Sequence, residues 1–190
     1  MSKTNHPKIV IIGAGFGGIT IAKSFKNEPV EVLLIDQHNY HNFQPLMYQI
    51  ATGGLEPDSI AYPVRRILRD QKNISFRMTK IENVDVENQK LHSSIGDIDY
   101  DYLVIATGCT NNFFNFESVK DKLLTLKTVP DALNMRSYIY QNLEKAMTHR
   151  DSTSFGALMN IAIVGGGPAG IELAGALSEM KHYVLPKDFP

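Results

Sequence analysis

A six-residue glycine stretch occurs twice in this chain, as Gly13-Ala14-Gly15-Phe16-Gly17-Gly18 and as Gly165-Gly166-Gly167-Pro168-Ala169-Gly170. Each copy separates an apolar run from a helix-patterned one, the order of strand, tight turn and helix found in a βα unit. Before the first copy, Lys8-Ile9-Val10-Ile11-Ile12 is short, β-branched and unbroken, as expected of a parallel strand covered on both faces. Gly13 permits the turn, Gly15 lets the backbone approach a phosphate, and Gly18 lets the helix close on the strand. Ile19, Ala22 and Phe25 then recur at helical spacing. A second apolar run, residues 30–35, ends in Asp36, 23 residues past Gly13, where an acid accepts hydrogen bonds from an adenosine ribose. The charge of Asp36 also argues against a 2′-phosphate there. In such a loop, backbone N–H groups and the positive end of a helix meet a pyrophosphate. Two loops therefore imply two bound dinucleotides, with electrons passing between them.

A further run, Asp101-Tyr102-Leu103-Val104-Ile105, reads as a buried strand leading into Ala106-Thr107-Gly108. With this strand end the chain resembles the flavoprotein disulfide-reductase-like group, which has two dinucleotide-binding domains and an Ala-Thr-Gly strand end beside FAD. A more specific pattern is Phe43-Gln44-Pro45-Leu46-Met47-Tyr48-Gln49-Ile50-Ala51-Thr52-Gly53-Gly54-Leu55. Flanked by Asn39-Tyr40-His41 and by residues 60–65, it resembles type II NADH:quinone oxidoreductase, and the similarity runs through essentially the whole chain.

The resemblance implies an α/β, Rossmann-like FAD/NAD(P)-binding fold, with a parallel sheet and a β-meander. Residues 1–112 would form an FAD-binding domain lacking its return segment, and residues 113–190 an NAD(P)H-binding domain only begun. It further implies an enzyme attached to one membrane face, passing hydride from NADH to FAD and two electrons onward to a quinone. The family's FAD contacts transfer to Gly13, Gly15, Phe16, Gly17 and Gly18 at the phosphates and to Asp36 at the ribose. Ala106, Thr107 and Gly108 would lie near the flavin, Gln44 and Pro45 by its ring system, and Ile81 near the adenine. Gly165, Gly167, Pro168 and Gly170 would face the NADH pyrophosphate. Glu172 matches the family's glutamate near nicotinamide and flavin, where it positions or polarises groups around the stacked rings. Tyr48 would edge the flavin or pack beneath its loop.

The chain is expected to be the N-terminal portion of such an enzyme, since the sequence after the second helix, residues 181–190, carries neither the second strand end nor the later family motifs. Alone it is expected to hold FAD weakly and to lack turnover. Two other readings stay open: part of a soluble NAD(P)H:ferredoxin- or rubredoxin-type reductase, and a non-catalytic nucleotide-binding remnant. A homodimer is compatible with the family.

The single cysteine, Cys109, cannot form an intramolecular disulfide, so electrons are expected to leave the flavin without one. Cys109 reads as a small buried packing residue. A net charge of −1 gives no electrostatic footprint for nucleic acid. The basic cluster Arg65, Arg66, Arg69 and Lys72 follows helical spacing and reads as a solvated face. His38 and His41 stand three apart without further ligands in sequence, so no metal site is expected.

Early lysines followed by an apolar run superficially resemble a signal peptide, and residues 157–180 resemble a membrane span. Both runs contain a glycine fingerprint, which fits strand, turn and helix better. The expectation is no transmembrane helix and a cytoplasmic chain, on the cytoplasmic face of the inner membrane in the complete enzyme. A helix over 59–70 reset at Pro63, antiparallel strands at 74–78, 81–86 and 90–92, and a helix over 131–148 complete the reading. Residues 151–154 read as a polar loop before a strand at 160–164, and Ile171, Ala174, Leu177 and Met180 as the buried stripe of the last helix.

Overall fold

The computed structural model describes residues 6–115, 117–148 and 154–189; the expected loop at 151–154 falls largely outside them. In chain order the elements are β1 (Lys8–Ile12), α1 (Phe16–Ser24), β2 (Glu31–Asp36), β3 (Tyr40–Asn42), α2 (Met47–Ala51), β4 (Ala61–Pro63) and α3 (Val64–Leu68). There follow β5 (Ile74–Met78), β6 (Ile81–Asp85), β7 (Lys90–Ser93), β8 (Ile98–Asp99), β9 (Tyr102–Ile105), α4 (Val129–Thr148), α5 (Ser154–Met159) and α6 (Pro168–Glu179).

The chain divides into two compact units. The first holds the residues up to Asn42 together with Ala61–Cys109, and the second holds Phe43–Ile60 with the residues from Thr110 onward. Phe43–Ile60 thus groups with the later residues rather than with the segments that flank it in sequence.

The first unit is built on an all-parallel sheet in the order β5-β2-β1-β9. Successive residues of β1 and β2 point to opposite faces, and both faces are covered, which is why their sequences are apolar without alternation. On one face Ile9, Ile11, Val32 and Leu34 pack with Ile19 and Ala22 of α1 and with Val64 and Leu68 of α3. On the other, Val10, Leu33 and Ile35 pack with Leu91 and Ile98 of the antiparallel ribbon β6-β7-β8 and with Tyr100 just after it. Val10, Ile11, Leu34 and Ile35 have no solvent-exposed surface, and each such side chain contributes about 1.5–3 kcal/mol of burial. The sheet therefore fixes its register through two dry interfaces, and a one-residue slip would exchange their contents.

Several expectations need correction. Residues 74–78 do not join the antiparallel meander: β5 pairs in parallel with β2 at the sheet edge. Its alternation, Ile74 and Phe76 buried with Ser75 and Arg77 exposed, arises because the edge strand is covered on one face only. The meander instead gains its third strand from β8. Residues 61–63 are extended and pair antiparallel with β3, so the helix starts only after Pro63. Burial of β9 is also less than its sequence implies, since it forms the other edge and leaves Tyr102 and Ile105 exposed. Cys109, just beyond it, is exposed rather than packed.

In the second unit, α4 starts at a reciprocal cap. Asp131 Oδ2 accepts from the N–H groups of Lys127 and Thr128, at 3.1 and 2.8 Å, and Thr128 Oγ1 accepts from Asp131 N–H at 3.2 Å. The helix buries Ala132, Met135, Ile139, Leu143 and Ala146 along one face, while Met147 beside Ala146 is about one-third exposed. Helix α2 packs on both α4 and α6. Arg65, Arg66, Arg69 and Lys72 are exposed in the first unit, as expected of a solvated face. Among the described residues no helix is long and apolar enough to cross a membrane.

Residues 160–164 depart most from expectation. They join no ladder among the described residues, and Ile161, Ile163 and Val164 are exposed. A parallel strand exists only through neighbours, so an apolar β-branched pattern without them remains unassigned. Helix α6 shifts its buried stripe accordingly: Leu173 and Met180 are buried, while Ile171 and Ala174 are exposed.

Candidate functional site

The first glycine loop is set by two strands and closed by its own helix. Gly13 N–H donates to Ile35 O of β2 at 2.7 Å, and Ala106 N–H donates to Ile12 O of β1 at 2.8 Å. Gly13 has φ +106°, a conformation L side chains rarely adopt, and a Cβ there would land on the Ala106 carbonyl. A Cβ on Gly18 would land on the Gly13 carbonyl oxygen and meet Ile11 Cγ2 at 3.5 Å. These two glycines are thus demanded by the fold itself. Gly15 and Gly17 differ, since a Cβ on either meets nothing within 4 Å. They border open space at the start of α1, whose first N–H groups have no intrahelical acceptor. Open backbone donors beside the positive end of a nine-residue helix make a cradle that fits a pyrophosphate. Phe16, half-exposed, forms the wall next to it.

Asp36 stands at the end of β2 beside this loop. Its Oδ2 accepts from Ala14 N–H at 2.7 Å and its Oδ1 from His38 N–H at 2.8 Å. His38 Nδ1 lies 3.6 Å from Asp36 Oδ1, an ion pair when the imidazole is protonated. One carboxylate therefore orders both the glycine loop and the turn after β2, and remains one-fifth exposed. Tyr40 is next to it. Burial first, and the Asp36 charge second, push the Tyr40 phenol above its ordinary value of 10.0.

The first unit thus brings together Gly13, Gly15, Phe16, Gly17, Gly18, Asp36 and Ala106. Thr107 and Gly108 continue from Ala106 and are exposed, Gly108 with φ +72°. Ile81 opens β6 and is partly buried against the meander face of the sheet.

From sequence alone His41 has no role of its own at the first loop, yet it belongs there. Its Nδ1 lies 3.0 Å from Ala14 O, and its ring meets Phe16 edge to face at 4.9 Å. The sequence signal was its place in the Asn39-Tyr40-His41 pattern, and its partner could not be read because it arises from the β3–β4 pairing.

The second unit holds the other site residues. Gln44 and Pro45 lie in a short 3-10 helix, residues 44–46, with Lys127 Nζ 3.5 Å from Gln44 Oε1. Tyr48 receives a hydrogen bond on its hydroxyl from Gln49 Nε2 at 3.2 Å. The second glycine loop repeats the first in detail. Gly165 has φ +118°, Gly167 caps α6 with φ −75° as Gly15 caps α1 with φ −75°, and Ile171 N–H donates to Gly167 O at 3.1 Å as Ile19 N–H does to Gly15 O. A Cβ on Gly170 would land on the Gly165 carbonyl and meet Ile163 Cγ2 at 3.5 Å. Pro168 occupies the first helical turn, where its missing N–H costs nothing, and Glu172 is exposed one turn further on.

This geometry agrees with comparisons to known proteins. The family model for pyridine nucleotide-disulphide oxidoreductase matches residues 7–185. The chain is 33% identical over 186 residues to type II NADH:quinone oxidoreductase Ndh of Mycobacterium tuberculosis, covering 96% of this chain and 40% of that protein. It is 34% identical over 202 residues to external alternative NAD(P)H-ubiquinone oxidoreductase B3, mitochondrial, of Arabidopsis thaliana, covering 100% of this chain and 35% of that protein. Among solved structures, NDH2 from Plasmodium falciparum in complex with NADH superposes with a TM-score of 0.87 at 26% identity, over 96% of this chain and 39% of that one. The chain spans no more than 40% of the length of these relatives.

Proposed function

Because this chain belongs to the pyridine nucleotide-disulphide oxidoreductase family, we propose that it supplies the flavin- and nicotinamide-binding loops of an NADH:quinone oxidoreductase, with FAD at the first loop and NADH at the second. The observation that carries this reading is the glycine loop built twice with one geometry, an open cradle at Gly15 and its counterpart at Gly167, where a Cβ also meets nothing within 4 Å. The names of the similar proteins support quinone as the acceptor. Bound FAD would supply the ring system that accepts hydride and releases electrons singly or in pairs.

The chain's own residues then divide the work. Gly15 and Gly17 leave room for the FAD pyrophosphate, and the start of α1 offsets its charge. Asp36 accepts from the adenosine ribose with the lone pairs left free by Ala14 and His38. Thr107 and Gly108 border the flavin, and Gln44 and Pro45 lie by its ring system. At the second loop Gly165, Gly167 and Gly170 admit the NADH pyrophosphate to the start of α6. Glu172 is the residue nearest the chemistry, orienting groups around the nicotinamide. The quinone, a peripheral membrane surface and a homodimer partner belong to the full-length enzyme in this reading.

An absorbance spectrum before and after incubation with FAD, with excess removed, tests the first loop. Retained flavin bands are the expected result for this chain, and their bleaching by NADH under argon and restoration by a soluble quinone are expected of the full-length enzyme. A protein that takes up neither FAD nor ADP would sink the assignment of the first loop. Flavin bands that NADH bleaches but no quinone restores would sink the acceptor.

A further inference from the structure

The hydrogen bond between His41 and the first loop has a use beyond packing, and it rests on the reading that a dinucleotide pyrophosphate lies at that loop. A peptide unit is planar and trans, so its C=O and N–H point in opposite directions. Whatever fixes the Ala14 carbonyl therefore fixes the direction of the Gly15 N–H across the same peptide. Ala14 O lies 3.0 Å from His41 Nδ1. A carbonyl can only accept, so Nδ1 carries the proton, in the neutral ring as in the charged one. The preceding peptide is fixed separately, by Ala14 N–H donating to Asp36 Oδ2 at 2.7 Å.

We propose that His41 is a positioning residue for dinucleotide binding, one whose Nδ1–H holds the Ala14 carbonyl and so aims the Gly15 N–H into the phosphate cradle. Its own placement is rigid. His41 sits in the middle of β3, paired with Tyr62 of β4, and Val64 N–H donates to Asn39 O at 2.9 Å where the ribbon joins α3. The Phe16 ring, one residue past the Gly15 cap, stands edge to face with the imidazole, 87° between planes. The ribbon therefore delivers one donor to the carbonyl that precedes Gly15, a glycine of this loop with open space at its Cβ position. Gly15 needs such help because nothing lies within 4 Å of its Cβ position to hold it sterically.

The test compares ADP with adenosine, which share base and ribose and differ in the phosphates. Calorimetric titration of the full chain is done for the wild type, His41→Leu, His41→Asn and His41→Gln. Asparagine places an amide N–H near the position of Nδ1, and glutamine places its own beyond it. His41→Leu is expected to weaken ADP about tenfold, the scale of one lost hydrogen bond, and to leave adenosine unchanged. His41→Asn restores most of the ADP affinity and His41→Gln does not. The amide resonance of Gly15 in the ligand-free protein moves in His41→Leu and returns toward wild type in His41→Asn. Equal losses for ADP and adenosine, or no rescue by asparagine, would overturn the proposal in favour of a packing role. A wild type that holds adenosine and ADP equally would instead overturn the phosphate site itself, and this role with it.

Discussion

Two adjacent glycines, Gly17 and Gly18, should respond to alanine with opposite signs. Both lie in the first turn of α1, where alanine is preferred over glycine by about 1 kcal/mol. Gly17→Ala meets nothing within 4 Å and should realise most of that gain, helped by the smaller conformational freedom of the unfolded chain. Gly18→Ala places its methyl on the Gly13 carbonyl oxygen. That oxygen cannot give way cheaply, because Gly13 is held by its N–H bond to Ile35 O at 2.7 Å and by its positive φ. The helix must move off the sheet instead, loosening Ile19 and Ala22 from Ile11 and Leu34. Overpacking of this kind costs about 1–3 kcal/mol, and a backbone atom as the obstacle puts the cost at the upper end. After the propensity gain, the net loss is about 2 kcal/mol. Native-state hydrogen exchange of the β1 amides reports this unit alone, since a central strand opens only with the unit. A loss of about 2 kcal/mol is roughly 30-fold faster exchange, and a gain of about 1 kcal/mol roughly fivefold slower. Indistinguishable exchange rates in the two variants would refute the claim that Gly18 is required by helix–strand approach.

Gly15→Val should leave β1 exchange within about twofold of wild type, because the added atoms enter open space, and should abolish FAD retention measured by absorbance. Thr128→Ala removes the hydroxyl that accepts from Asp131 N–H and should cost about 1 kcal/mol, read as a lower urea midpoint for α4 helicity. Tyr40 supplies a pH dependence. Its folded value lies above 10.0, so the contribution is full below pH 10.0 and is lost as pH rises through the folded value. Urea midpoints from about pH 9 to about pH 11.5 should therefore decline less in Tyr40→Phe than in wild type, and an equal decline would remove Tyr40 as a cause.

The elements read correctly from sequence are those whose burial is two-sided or helical. Residues 9–12 and 32–35 are apolar throughout because both sheet faces are covered, and the α4 stripe follows a 3.6-residue period. Edges were read less well. β5 alternates because one of its faces is bare, which in sequence looks like a meander strand, and β9 looks buried while Tyr102 and Ile105 are exposed. The glycines and Asp36 of the first site were legible because their spacing is local to one βα unit and the next strand. His41 was not, because its partner Ala14 is 27 residues away and the connection runs through a three-residue ribbon that no periodicity marks.

The two glycine loops separate what a fingerprint encodes from what its surroundings supply. β1 has β2 and β9 on either side, whereas residues 160–164 have no ladder among the described residues. Yet the loops that follow share a positive φ at Gly13 and Gly165, the same cap torsion at Gly15 and Gly167, and the same carbonyl packed under Gly18 and Gly170. The turn and the cradle therefore take the same form in both loops. Burial follows the opposite rule. Ile19 and Ala22 are covered by the sheet, while Ile171 and Ala174, at the same places after the second loop, are exposed, and α6 packs through Leu173 and Met180 instead. A dinucleotide site needs both contributions, since a phosphate cradle without a strand neighbour has no ordered acid for the ribose. In the first unit Asp36 stands at the end of the adjoining strand, and its carboxylate holds Ala14.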